Sequence, residues 1–297
     1  MKVTSLPDLP DLGADAARRR VAIGTFDGVH VGHREVIRGN DTVLTFDPHP
    51  LSVIRPEATP KLVMPFSIKR DVIAGLGVKE LVVVPFDHEF SQRSAEEFAD
   101  RVLVAQLGAQ SVSVGENFRF GQGARGTSDF LRSRPEFETR VVPLIEVEGE
   151  TVSSSHIRGL VAAGEVSPAA KFLGGPYMLE GEVVEGDKRG RELGYPTANV
   201  VPADELVSPG HGVYAAWANG RPAAVNVGVR PTFTTGRGLL VEAYLIDWAG
   251  DLYGRELRIA FARRLRGEKR FESVDELVVQ MGRDVEQARG ILAQGAC

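Results

Sequence analysis

The pattern of the chain changes once, at Gly174-Gly175-Pro176, and that change most narrows what it can fold into. Before it, short apolar runs alternate with segments of helical period. Residues 21–23, 42–46, 81–84, 112–114 and 141–147 read as strands. Residues 67–76 read as a helix with Ile68, Val72, Ile73 and Leu76 on one face and Gly77 as its stop. Ser94-Ala95-Glu96-Glu97 reads as a capping box opening a helix that groups Phe98, Val102, Leu103 and Leu107. Such alternation predicts a doubly wound parallel sheet, with ligands at the carboxyl ends of its strands. After the change, 177–184, 212–218, 223–227, 239–246 and 256–261 are short apolar runs with no helix between them. They predict a small antiparallel β-barrel. Ser273 to Glu276 caps a final helix whose apolar residues Leu277, Val278, Met281, Val285 and Ile291 pack on that barrel. The expected class is therefore α/β plus all-β, with domains at 1–175 and 176–297; a chain of 297 residues suits two cores.

Residues 21–33, VAIGTFDGVHVGH, join a strand to a helix through a turn carrying Gly24 and Gly28. Free backbone N–H groups and a helix N-terminus there suit an anion, and His30 and His33, three apart, would share one face beside it. A surface histidine pair, or half of a metal site, are the other readings of that spacing. The stretch GTFDGVHVGH resembles the signature of the nucleotidyltransferase superfamily. Further on, GYPTAN, residues 194–199, resembles the riboflavin kinase signature. Together, in this order and over nearly the whole chain, they resemble the bifunctional bacterial riboflavin kinase/FAD synthetase family.

For the first module the resemblance implies adenylyl transfer from ATP to FMN, giving FAD and pyrophosphate. The nucleophile is a phosphate already anionic at neutral pH, so positioning and charge stabilisation suffice. Backbone N–H groups of Gly24, Thr25 and Phe26, with His30 and His33, are suited to that. Ser153, Ser154 and Ser155 open a helix, offering a cap and spare hydroxyls, and Arg158 stands in its first turn. They resemble the family's SSTxIR motif and would hold the leaving phosphates, with Ser155 where the family has Thr. Asn117, in GENFRFG, and His49, in DPHP, resemble flavin-side positions; a plain turn residue is the other reading of Asn117. The helix after His33 is shorter than the family's, about two turns, but the connection still allows a parallel crossover.

For the second module it implies γ-phosphate transfer from ATP to riboflavin. There is no GxxxxGK[ST] motif. Gly186, Lys188, Gly190 and Arg191 form a cationic, glycine-bearing loop suited to phosphates. Thr197 and Asn199 place two neutral oxygens on one side of an extended segment, a donor pair suited to Mg²⁺. A hydroxyl nucleophile benefits from a base. Glu242, in LLVEAYLID, matches the family's catalytic Glu, and alternation sets it opposite Val241 and Ala243. Arg266 and Phe271 resemble the flavin-covering loop. A regulatory barrel, a flavin sensor without turnover, and a transferase with another acceptor are the competing readings. The intact Glu242, Thr197, Asn199, His30 and His33, together with GYPTAN, weigh against them.

Composition bounds the partners. The net charge of −5 gives no basic footprint for nucleic acid. No apolar run approaches membrane-spanning length, so no membrane partner is expected. The expected partners are ATP, riboflavin and FMN, with weak self-association left open. The one cysteine, Cys297, excludes an intrachain disulfide, and the N-terminus lacks an apolar secretory core, which together suggest a cytoplasmic protein.

Overall fold

The computed structural model describes residues 1–11, 18–186, 190, 193–230 and 238–295. It divides into two compact units, Met1–Pro60 with Phe66–Ser153, and Lys61–Pro65 with Ser154–Cys297.

The first unit is built on a six-stranded sheet in the order β1-β4-β3-β2-β5-β6. The strands are β1 Lys2–Ser5, β2 Arg19–Ile23, β3 Thr42–Asp47, β4 Glu80–Pro85, β5 Ala109–Gly115 and β6 Glu138–Val142, and every neighbouring pair is parallel. From β2 the chain steps outward through β3 and β4; β5 and β6 then fill the other side. The strand order therefore reverses between β2 and β5, which places a ligand crevice at their carboxyl ends. Val21, Val43, Leu44, Leu81, Val82, Val112 and Val114 are fully buried, as strands covered on both faces require.

In this unit the sequence signals hold with three differences, two in helices and one in a strand. The capping box at Ser94 is present in full, but the helix continues over Phe98–Gln106 with the wider π turn. That turn still buries Phe98, Val102, Leu103 and Leu107 together. The Phe66–Gly75 helix buries Ile68 and Ile73 but leaves Leu76 37% exposed, and buries Lys69 instead. The strand expected at 141–147 is shifted. Pro143 has no N–H for the ladder, so β6 ends at Val142, and β7 Glu146–Val147 pairs with β8 Glu150–Thr151 as a small hairpin. The Val31–Ile37 helix is two turns long, as expected, and buries Val36 and Ile37.

The second unit is a closed antiparallel barrel in the order β10-β13-β12-β11-β14-β9. Its strands are β9 Tyr177–Val184, β10 Ala198–Pro202, β11 Gly212–Ala218, β12 Arg221–Arg230, β13 Gly238–Leu245 and β14 Glu256–Arg266. β10 is a strand not expected from the sequence; it begins inside GYPTAN. Val225, Val227, Val241, Ala243, Ile259 and Phe261 are fully buried at alternating positions, and Phe261 meets the rings of Tyr177 and Tyr214 at 5.9 and 5.3 Å. The Val274–Ala293 helix covers part of the outer wall. Its Val285, Ala288 and Leu292 pack against Ala215, Ala224 and Ile246.

The division of the chain differs from the boundary expected at 175. The helices Ser154–Ala162 and Val166–Leu173 belong to the barrel unit. Ser167 Oγ donates to Ala262 O of β14 at 2.8 Å, and Gly164 abuts Tyr214 and Arg264. The short segment 61–65 also belongs there. Leu62 N–H bonds Glu205 O at 2.7 Å, and Val207 N–H returns to Leu62 O at 2.9 Å.

Candidate active sites

In the first unit, β2 runs into a tightly held turn. Gly24 N–H bonds Leu44 O of β3 at 3.2 Å, and a Cβ on Gly24 would stand 3.1 Å from the Phe26 ring that folds over it. Phe26 and Val29 take positive φ, 49° and 39°, a conformation unfavourable to side chains and most of all to a β-branched one. Burial of both side chains and hydrogen bonds around the turn hold it. Val29 N–H bonds Phe26 O at 3.1 Å. Thr25 O accepts from Thr45 Oγ1 at 3.1 Å and from Lys69 Nζ at 3.1 Å.

His30 caps the Val31–Ile37 helix, its Nδ1 accepting His33 N–H at 3.2 Å. In the neutral ring this places the proton on Nε2, as a donor. The His30 and His33 rings stack with centroids 3.5 Å apart, and Phe26 meets His33 edge-on at 5.4 Å. Burial pushes His30 down to about 4. Burial, then the neighbouring His30 and Lys69, hold His33 well below its ordinary value. Both rings are therefore neutral at pH 7, each offering one N–H. His33 Nδ1 is buried without a hydrogen-bond partner among the described residues. Among those residues no group of three His, Cys, Asp or Glu could hold a metal, so the half-site reading of the pair finds no further ligands there.

In this unit Lys69 is the residue that sequence reasoning missed. It is 8% exposed. Burial lowers its pKa, opposed by Asp27 and then Asp47. No local signal marks it, because its partner Thr25 lies 44 residues away. His49 caps the Pro50–Ile54 helix, with Nδ1 accepting Leu51 N–H at 3.2 Å. Asn117 is exposed, two residues beyond β5. The turns after β2, β3 and β5 thus all leave the same edge of the sheet. Ser153 belongs to this unit, whereas Ser154, Ser155 and Arg158 belong to the other. Arg158 Nη1 donates to Ser155 Oγ at 3.1 Å.

In the barrel unit, register brings the expected Asn199 and Glu242 together with Asn226, which the sequence does not single out. Asn199 of β10 and Asn226 of β12 each stand directly opposite Glu242 of β13. Their strand neighbours Ala198, Val200, Val225, Val227, Val241 and Ala243 are buried, so alternation points all three outward as one row. Asn226 Nδ2 donates to Glu242 Oε2 at 3.1 Å. The glycines of the loop explain themselves. A Cβ on Gly186 would stand 2.0 Å from Asn199 Nδ2, and one on Gly190 would meet Tyr195 O at 2.4 Å and Thr197 Oγ1 at 3.4 Å. At positions 186 and 190 only glycine fits so close to Asn199 and to Tyr195 and Thr197. Lys188 and Arg191 lie outside the described residues.

Arg266 is placed differently from a simple ligand contact. Its Nε reaches Asp284 Oδ1 and Oδ2 at 3.1 and 3.0 Å, and Nη2 reaches Oδ2 at 2.7 Å. It is tied to the final helix. The Phe271 ring lies 5.8 Å from its guanidinium carbon and 5.5 Å from Lys269 Nζ.

One unit with a parallel sheet and a strained strand–turn–helix beside a histidine pair, and a second unit with a closed barrel bearing an outward carboxylate between two amides, define a two-module transferase acting on phosphates. The FAD synthetase family profile matches residues 13–156, and the riboflavin kinase profile matches 173–292. A bifunctional riboflavin kinase/FMN adenylyltransferase of Pseudomonas fluorescens is 35% identical over 291 residues, 92% of this chain and 93% of that one. One from Escherichia coli K12 is 36% identical over 289 residues, 91% of each chain. The chain belongs to this family of bifunctional riboflavin kinases/FMN adenylyltransferases. Among solved structures, a Streptococcus pneumoniae protein described as a macrolide-efflux protein superposes with a TM-score of 0.84 at 28% identity, covering 97% of this chain and 99% of its own. Among the described residues of this chain, no helix is long and apolar enough to cross a membrane.

Proposed function

We propose that the barrel module transfers the ATP γ-phosphate to riboflavin with Glu242 as general base, and that the sheet module then joins the product FMN to a second ATP. The observation carrying this reading is the outward row Asn199, Glu242, Asn226 beside the folded GYPTAN segment. Glu242 accepts the proton of the ribityl hydroxyl as the hydroxyl oxygen attacks the γ-phosphorus and ADP leaves with the β–γ bridging oxygen. Thr197 and Asn199 would hold Mg²⁺. Both offer neutral oxygens, and Asn199 faces the Glu242 carboxylate in register, a donor set of the hard type this ion takes. When bound, the ion would neutralise charge on the phosphates. Gly186 and Gly190, with Lys188 and Arg191, enclose the nucleotide; Phe271 and the loop anchored by Arg266 cover the flavin.

In the sheet module the FMN phosphate attacks the α-phosphorus of ATP and pyrophosphate leaves, with no base needed. His30 donates from Nε2, and His33, neutral and stacked against it, supplies the second imidazole. Gly24, Thr25 and Phe26 approach the nucleotide through their backbone. Ser153, Ser154, Ser155 and Arg158 hold the leaving phosphates, while His49 and Asn117 contact FMN. The functional division stays at 1–175 and 176–297, supported by profile matches that end at 156 and resume at 173. Small-molecule substrates and a lone cysteine fit a cytoplasmic enzyme, with weak self-association left open.

A chromatographic time course with riboflavin, ATP and Mg²⁺ tests this, run beside Glu242→Gln. The parent should give FMN and then FAD. The variant should lose FMN formation and keep FAD formation from supplied FMN. Equal loss of both activities would refute the two-site assignment.

A further inference from the structure

We propose that Asn226 is a positioning residue of the kinase reaction, fixing the Glu242 carboxylate so that one oxygen is held and the other faces the substrate hydroxyl. The proposal rests on the reading of Glu242 as base. Asn226 and Glu242 are cross-strand partners on β12 and β13, the arrangement in which side chains of adjacent strands sit closest. The 3.1 Å bond from Asn226 Nδ2 to Oε2 is the hydrogen bond made by the Glu242 carboxylate among the described residues. Oε1 has no hydrogen-bond partner among them.

The surroundings show why the holder is an amide. A carboxylate on a half-buried strand face rotates freely about its last torsion unless one oxygen is bonded. Asn226 does this with a neutral N–H, so the group that holds the carboxylate does not itself neutralise its charge. Two residues along the same face stands Gly228, where a Cβ would meet Glu268 Oε1 at 3.2 Å and Asn226 Nδ2 at 3.8 Å. The missing side chain lets the Glu268 carboxylate reach over the strand, beside the amide. His211 Nδ1 lies 3.8 Å from the same Glu268 oxygen. Asn226 therefore stands where a donor is wanted and where an acceptor would meet carboxylates. On the opposite side of Glu242, Asn199 is given to the Mg²⁺ site and is not free to do the same work.

The test compares Asn226→Ala and the isosteric Asn226→Asp with the parent, measuring kcat and KM for FMN formation. The full-length protein is used, with FAD formation from supplied FMN as the control for folding. Loss of a hydrogen bond to a charged group corresponds to about 10- to 100-fold in rate. Asn226→Ala should lose that much kcat with KM for ATP and riboflavin changed less than about threefold. Asn226→Asp should lose more, because it keeps the shape and removes the donor. Asn226→Asp with parental kcat overturns the proposal. So does a rise in KM at unchanged kcat in either variant, which would mean a binding role. Glu242→Gln with parental kcat would overturn the underlying reading instead, so the two failures are distinguishable.

Discussion

Replacing Asp284 by Ala should destabilise the barrel unit by about 2–3 kcal/mol. Asp284 is 4% exposed on the inner face of the final helix, and it accepts three bonds from Arg266 and one from Gln280 at 2.8 Å. Removing the carboxylate leaves a guanidinium without its partner and an amide without its acceptor. Breaking a buried pair in this way costs roughly 3–5 kcal/mol. The Arg266 side chain keeps 23% of its exposure, so water screens part of that and the lower figure follows. For a unit of about 150 residues the loss corresponds to a fall in Tm of roughly 5–10 °C. Calorimetry, with residual FMN-forming activity after timed heating, would measure it. The double variant Arg266→Met with Asp284→Leu should recover most of the loss, since apolar residues replace a buried pair without leaving a charge. An Asp284→Ala barrel melting within about 2 °C of the parent would refute the reasoning.

Two further outcomes are expected. Lys69→Met should lower FAD formation by about 10- to 100-fold, by releasing Thr25 O from the turn, while FMN formation on the same protein stays at the parental rate; equal rates of FAD formation would show that the buried ammonium does not support the turn. The sheet unit should also weaken in acid. His30 is lowered from 6.5 to about 4 by burial, so between those values the unfolded chain binds the proton and the folded one does not. Its contribution is complete above pH 6.5 and is lost as pH falls towards 4, about 3 kcal/mol in all. His33 adds in the same direction. Hydrogen exchange of β2 and β3 at pH 7 and pH 5 would read the loss, and His30→Asn should flatten it.

Much of this architecture is legible in the sequence because its signals are local. Strand–helix alternation gives the parallel sheet, and closely spaced apolar runs give the barrel. The Ser94 box and the Ser273 cap mark helix starts correctly, because a cap is satisfied within one turn. What is not legible depends on distant partners. Periodicity around residues 66–76 treats Leu76 as core and gives Lys69 no role, since the reason to bury a lysine lies in the turn at Thr25. Asn226 looks like any strand asparagine until barrel closure fixes its register against Glu242. β10 is short and follows a proline, so GYPTAN reads as an extended segment without being assigned to the barrel. The helices 154–173 carry apolar faces that suit either core, and only packing shows that they join the barrel.

The pairing of residue 62 with 205 and 207 has a consequence for dissecting the protein. The barrel unit is not one continuous stretch of polypeptide: five of its residues, Lys61–Pro65, are threaded from within the sheet unit's own span. Val63 and Met64 are buried there. No single cleavage of the gene can yield two complete halves. A fragment beginning at residue 154 would leave the backbone of Glu205 and Val207 without its partner Leu62. Separately expressed modules would need residues 61–65 supplied to the second one, as a graft or as an added peptide.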